Sequence, residues 1–167
     1  RRLRNCVHFV GSRLPARWGA GAMAFSAFSV PRLHSAYAME QAVTEERDKV
    51  VCLRLGQDFH PECMEVDRVL ADALVDIQSH CSVFAVDVRE VPECVNSFQL
   101  TEPMALMFFF RGKPLQLDLG AGAAPKFSRA LGSRQEFLDL VEAVCRGAQQ
   151  GCELIVAPKD YSVTRRY

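Results

Sequence analysis

The segment Asp58-Phe59-His60-Pro61-Glu62-Cys63-Met64 carries a thiol three residues after an imidazole, a pairing that can do chemistry. A positioned imidazole can take the proton from a cysteine and leave a nucleophilic thiolate. The opposing reading is plainer: Cys63 opens the apolar face of a helix and is buried there as a small hydrophobe. The residues behind it favour burial, because Cys63, Val66, Leu70, Ala73, Leu74 and Ile77 recur at helical spacing. Dithiol exchange needs a second cysteine with two residues between, and position 60 holds histidine instead.

Other candidates weaken on inspection. Cys6, Cys52, Cys81, Cys94, Cys145 and Cys152 complete a set of seven that is scattered, odd in number and without metal-ligand spacing. That usage fits a reducing compartment, and no metal or cofactor is expected. His8, His34 and His80 stand alone, as exposed or capping residues rather than ligands. Gly120-Ala121-Gly122 lacks the helix start of a phosphate loop and reads as a strand terminator. Phe108-Phe109-Phe110 reads as sheet core, since a covered strand would hide rings that base stacking needs exposed.

The elements that position His60 and Cys63 follow from periodicity. Ser35 caps a short helix from about Ala36 to Val43. Val50-Val51-Cys52-Leu53 is a strand apolar enough to be covered on both faces, and Gly56 to His60 is a loop. Pro61 then opens the helix that carries Cys63, as proline suits a first helical position. Val83–Val88 and Ala105–Phe110 are further strands, joined through a connector with a short helix at Pro92–Leu100. After a turn at Arg111–Pro114, Leu115, Leu117 and Leu119 alternate with polar residues in a fourth, half-exposed strand. Ser133 and Glu136 form a capping box for a last helix that buries Phe137, Val141, Val144 and Ala148. The order α-β-α-β-α-β-β-α defines a thioredoxin-like α/β fold: a central four-stranded mixed sheet flanked by helices, with an added N-terminal helix and a C-terminal tail. In such a fold the strand-to-helix turn beginning at Gly56 holds the active site.

The 167 residues, 49% of them hydrophobic, suffice for one domain with a core. The zero net charge hides an asymmetry. Six of the 20 basic residues precede residue 35 and all 20 acidic ones follow it, which leaves residues 35–167 at −6. That balance disfavours binding of a nucleic-acid backbone through the domain. Residues 1–30 are read as an N-terminal extension, with Met23 as the initiator and residues 1–22 upstream of it. An Arg-rich targeting segment is the alternative. Gly19–Val30 is too short to span a bilayer.

From about Pro31 onward the chain resembles the thioredoxin-like, fifteen-kilodalton splicing-factor family of the U5 small nuclear ribonucleoprotein. The resemblance is carried by Asp58–Met64, Glu90-Val91-Pro92, Met107–Arg111, Asp118–Gly122, Arg146-Gly147-Ala148, Pro158–Ser162 and the final Arg166-Tyr167, in that order and spacing. It implies a non-enzymatic, protein-binding component of the U5 snRNP and tri-snRNP, nuclear and acting in pre-mRNA splicing. The implied partners are the large U5 scaffold protein and tri-snRNP bridging proteins. U5 snRNA is reached through them, without a membrane or a small-molecule substrate. It also implies a degenerate redox site. His60 and Cys63 occupy the dithiol positions, Arg54 stands where thioredoxins bury a proton-moving aspartate, and Pro103 holds the place of the fold's cis-proline. An ordinary trans proline is the other reading of Pro103. Phe59 replaces the usual tryptophan and Met104 a frequent cysteine. The alternative function is a monothiol redox enzyme of the same fold, possible in an organelle.

Residues 31–150 are thus the thioredoxin-like domain and 151–167 a tail. Leu154-Ile155-Val156 is expected to lie against the domain. Pro158 is expected to turn the chain outward and present Lys159, Asp160, Tyr161, Arg166 and Tyr167 to partners, so that its removal would spare the fold.

Overall fold

The computed structural model describes residues 29–120 and 122–161. The chain enters through β1 (Arg32–Leu33) and α1 (Ala36–Glu45), where the Ser35 hydroxyl accepts from the Ala38 N–H. β2 (Val50–Gly56) is buried along its whole length, as its apolar run requires. α2 (Pro61–Ile77), β3 (Cys81–Asp87), α3 (Glu93–Ser97) and β4 (Met104–Phe110) follow. β2 runs parallel to β3 on one side and antiparallel to β4 on the other.

Alternation along β2 divides the core in two. Val51, Leu53 and Leu55 pack with Met39 and Val43 of α1 and with Cys94 of α3. Val50 and Cys52 pack on the opposite side with Cys63 and Leu70 of α2, and with Phe137, Leu140 and Val144 of α4 (Arg134–Gln149). Arg54 shares that second parity, so an arginine points where the pattern calls for a hydrophobe.

The main sheet has six strands where four are expected, since β1 pairs in parallel with β3 and a short later strand returns to β4, and the expected fourth strand divides between two sheets. Arg111 and Gly112 form a two-residue hairpin loop with φ of 52° and 81°, and β5 (Lys113–Pro114) pairs with β4. Pro114 has no N–H to continue a ladder. Leu115 still donates to the Phe108 carbonyl at 2.8 Å, but β6 (Gln116–Asp118) then leaves for a second sheet. There it lies between β7 (Ala123–Ala124) and β9 (Leu154–Val156), while β8 (Lys126–Phe127) returns to pair with β4. The tail therefore adds a strand, with Ile155 buried and its side chain directly over Gly147 of α4. The capping box forms with a shift: Ser133 Oγ accepts from Glu136 N–H, but the Glu136 carboxylate takes the Gly132 N–H.

Candidate functional site

The turn from β2 to α2 brings the sequence-selected residues together. His60 caps α2, its Nδ1 accepting from the Glu62 N–H at 3.3 Å, and Pro61 fills the first helical position. Cys63, one turn into the helix, is fully buried and its Sγ donates to the Pro103 carbonyl at 3.5 Å. The imidazole and the thiol thus serve separate partners and form no nucleophile–base pair. Burial pushes the Cys63 thiol upward. The Arg54 charge opposes that, while Asp67 and Glu62 add to it, so the group stays protonated at neutral pH. Every described peptide bond is trans, which makes Pro103 the ordinary proline at a strand entry. Met104 behind it is 1% exposed.

Gly56 shows how tightly this corner closes. A Cβ there would stand 2.5 Å from Cys63 Sγ and 2.6 Å from the Pro103 carbonyl oxygen, and φ is +153°. Only glycine lets β2, α2 and the approach to β4 meet at one point.

Arg54 is the largest fully buried side chain of the described residues. Its Nε and Nη2 donate to the two oxygens of Asp67 at 2.7 and 2.8 Å, Nη2 also reaches Asp58 at 2.7 Å, and Nη1 approaches the Gly56 carbonyl at 3.4 Å. Asp58 in turn holds Arg32 of β1. The Asp58 N–H points at Asp87, which is buried at the end of β3 and grips Arg89. Hydrogen bonding to Arg89 holds the Asp87 carboxyl below its ordinary range against the opposing effect of burial. The Arg89 guanidinium lies 4.0 Å above the centre of the Phe59 ring. An ionic chain thus runs under the turn, and Phe59 and Met64 stand out from it, 58% and 53% exposed. Beside them lies a groove of about 460 Å³, bordered by Arg32, Asp58, Met64, Asp67, Arg68 and Asp72.

Sequence reasoning found Arg54 but missed its partners. The signal was present, since Asp67 stands four residues after Cys63 and is the one acid on that helix's buried stripe. Among the described residues, no group of three or more His, Cys, Asp and Glu is placed to hold a metal ion, and no helix is long and apolar enough to cross a membrane. His34 is not isolated, for its Nδ1 meets Glu90 at 2.6 Å. His8 lies outside the described residues.

In the tail, Leu154-Ile155-Val156 pairs with β6 but buries only Ile155, leaving Leu154 and Val156 exposed. A further departure from expectation comes at Tyr161. Lys159 and Asp160 are exposed after Pro158, but Tyr161 turns inward and is 4% exposed. Its ring meets Phe127 edge-on at 5.0 Å, and its N–H donates to the Leu119 carbonyl at 2.8 Å. The apolar ring gains more by completing the core beside Phe127 than by standing in water. Arg166 and Tyr167 lie outside the described residues.

The parallel β3-β2 pair, the antiparallel β2-β4 pair and a helix springing from a turn with one buried thiol define a thioredoxin-fold protein. The fold is shared with Fasciola hepatica thioredoxin, at a TM-score of 0.54 and 15% identity over 67% of this chain and 96% of that one. Residues 29–161 match the family described as Mitosis protein DIM1, and the chain belongs to that family. It is 35% identical to Mitosis protein dim1 of Schizosaccharomyces pombe over 140 residues, covering 84% of this chain and 99% of the relative. It is 32% identical to Spliceosomal protein DIB1 of Eremothecium gossypii over 136 residues, 81% and 95% of the two chains.

Proposed function

We propose that this protein is a non-enzymatic, protein-binding component of the nuclear splicing machinery, held in the U5 snRNP and the tri-snRNP. The observation that carries the reading is the state of the turn: its single thiol is buried, protonated and hydrogen-bonded to Pro103. A thiol reductase, monothiol or dithiol, attacks as an accessible thiolate. On this reading Arg54, His60, Cys63 and Pro103 are a former redox site kept for its shape. Arg54 with Asp58 and Asp67 fixes the turn, which presents Phe59 and Met64 as contact surface. Residues 31–150 are the binding domain, and 151–167 add a strand and further contact residues. Similarity to a protein named as spliceosomal supplies the setting. The large U5 scaffold protein and the bridging proteins of the tri-snRNP are the proposed partners, with U5 snRNA reached through them.

Affinity purification of the full chain from nuclear extract tests this. U5 snRNA and tri-snRNP proteins should co-purify, and the isolated chain should not reduce insulin disulfides faster than a cysteine-free variant. Insulin turnover, or mitochondrial recovery without U5 snRNA, would overturn the reading.

A further inference from the structure

β9 is an edge strand of the second sheet, whose order is β7-β6-β9. The Gln116 N–H donates to the Glu153 carbonyl and the Ala157 N–H to the Asp118 carbonyl, both at 2.9 Å. Backbone groups of successive strand residues point to opposite sides, so Glu153, Ile155 and Ala157 are the ones turned to β6. Leu154 and Val156 therefore aim their N–H and C=O groups away from the sheet. Among the described residues, nothing pairs with those four groups.

The side chains repeat the division. Ile155 is buried over Gly147 of α4, whereas Leu154 and Val156 stand on the outer face, 50% and 69% exposed. Proteins blunt sheet edges with very short strands, charge or proline. Here β1, β5, β7 and β8 are two residues each, and β5 is Lys113–Pro114. β9 is three aliphatic residues with neither charge nor proline within it. Carboxylates flank it: Glu153 is exposed at its start, and Asp118 is in register with Val156 at its end. Asp118 accepts from the Gly120 N–H, and neither carboxylate meets a cation among the described residues.

We propose that this edge receives an extended segment of a protein partner, which adds a strand to the second sheet beside β9. The unpaired groups select a polypeptide in β conformation, since a strand offers donors and acceptors at the matching two-residue repeat. Leu154 and Val156 select aliphatic or β-branched side chains at alternate positions of the segment. Glu153 and Asp118 select a segment flanked by Lys or Arg, because each leaves a negative charge without a cation beside the strand. A second copy of this chain fits less well, for it would double the carboxylates at the seam and bring no cation from β9 to meet them. The proposal rests on the reading of the chain as a protein-binding component and gives one of its contacts a geometry.

The test uses the full chain and three blocked peptides, followed by NMR. They are acetyl-Lys-Val-Thr-Val-Lys-amide, its counterpart with Glu at both ends, and the Lys peptide N-methylated at both valines. The Lys peptide should give saturable shifts at the Leu154 and Val156 amides. The Glu peptide should bind several-fold more weakly, and N-methylation should cost about tenfold or more. Val156→Pro removes an outward N–H that the sheet does not use, and should cost the Lys peptide about tenfold. Val156→Thr keeps that N–H and should change binding by less than about threefold. If the proline variant does not fold, the N-methylated peptide on the wild-type chain decides. Equal binding of the methylated peptide, or no shifts at Leu154 and Val156, would overturn the proposal. So would a dimer in sedimentation that Val156→Pro abolishes, since a second copy would then own the edge. Failure of the peptide while the wild-type chain still brings down U5 snRNA would remove the edge and leave the function standing. Peptide binding by a chain that brings down no U5 snRNA would sustain the edge and remove the function.

Discussion

Arg54 Nε and Nη2 grip both oxygens of Asp67 at 2.7 and 2.8 Å, joining the middle of the sheet to the second turn of α2. Arg54 is inaccessible to water, whereas Asp67 keeps 24% of its side chain exposed. The two ends of the pair therefore respond differently to loss of the other. Asp67→Asn strands part of a buried cation and should cost about 2–3 kcal/mol. Arg54→Met strands carboxylates that can turn toward water, so it should cost less. Urea denaturation of the two variants checks the order, and a larger loss for Arg54→Met would count against it.

Gly56→Ala should be among the most damaging single-methyl additions in the chain. The new Cβ would meet Cys63 Sγ at 2.5 Å and the Pro103 carbonyl at 2.6 Å, for an expected loss of roughly 2–3 kcal/mol. Adding Cys63→Ala should return only part of it, because the carbonyl is backbone and cannot be trimmed. Full recovery in the thermal melt of the double variant would show that the sulfur alone sets the fit.

Buried thiols fix the sign of the alkaline response. Burial raises the pKa of Cys52, Cys63, Cys81 and Cys94 above the ordinary thiol value. The folded chain thus holds protons that the unfolded chain releases first. Their contribution is complete below the unfolded pKa and is lost as pH rises toward the folded one. Urea midpoints should stay level with respect to these groups through neutral pH and fall above about pH 8.5. Cys81→Ala should flatten the fall. A midpoint that climbs between pH 8 and 10 would contradict the burial argument, with the pH range set by the thiol reference value of about 8.5.

Much of this architecture was legible because periodicity is a local property. The Cys63–Ile77 stripe, the apolar run of β2 and the Ser35 and Ser133 caps all appear where their spacing puts them. Arg54 was legible as an odd residue, but its fate depended on Asp58 and Asp67, four and thirteen residues away on other elements. The division at Pro114 turned on a competition between two ladders, one of them offered by β9 from the far end of the chain. Tyr161 misled for a related reason. Sequence shows an aromatic after a turn, while only the tertiary structure shows Phe127 waiting beside it.

That burial reverses the expectation for the tail. With Tyr161 4% exposed and edge-on to Phe127, deleting Pro158–Tyr167 should lower the melting temperature instead of leaving it unchanged. Tyr161→Ala should account for most of the loss, about 3–5 kcal/mol for an aromatic side chain removed from a core. Tyr161→Phe separates the ring from the hydroxyl. The Oη is buried beside the Glu136 carboxylate while the ring packs on Phe127, so removing the hydroxyl alone should cost about 1 kcal/mol, well short of the loss on removing the ring. Differential scanning calorimetry of the deletion and the two substitutions reads the order. A Tyr161→Phe chain as unstable as Tyr161→Ala would show that the hydroxyl and not the ring holds the tail in place.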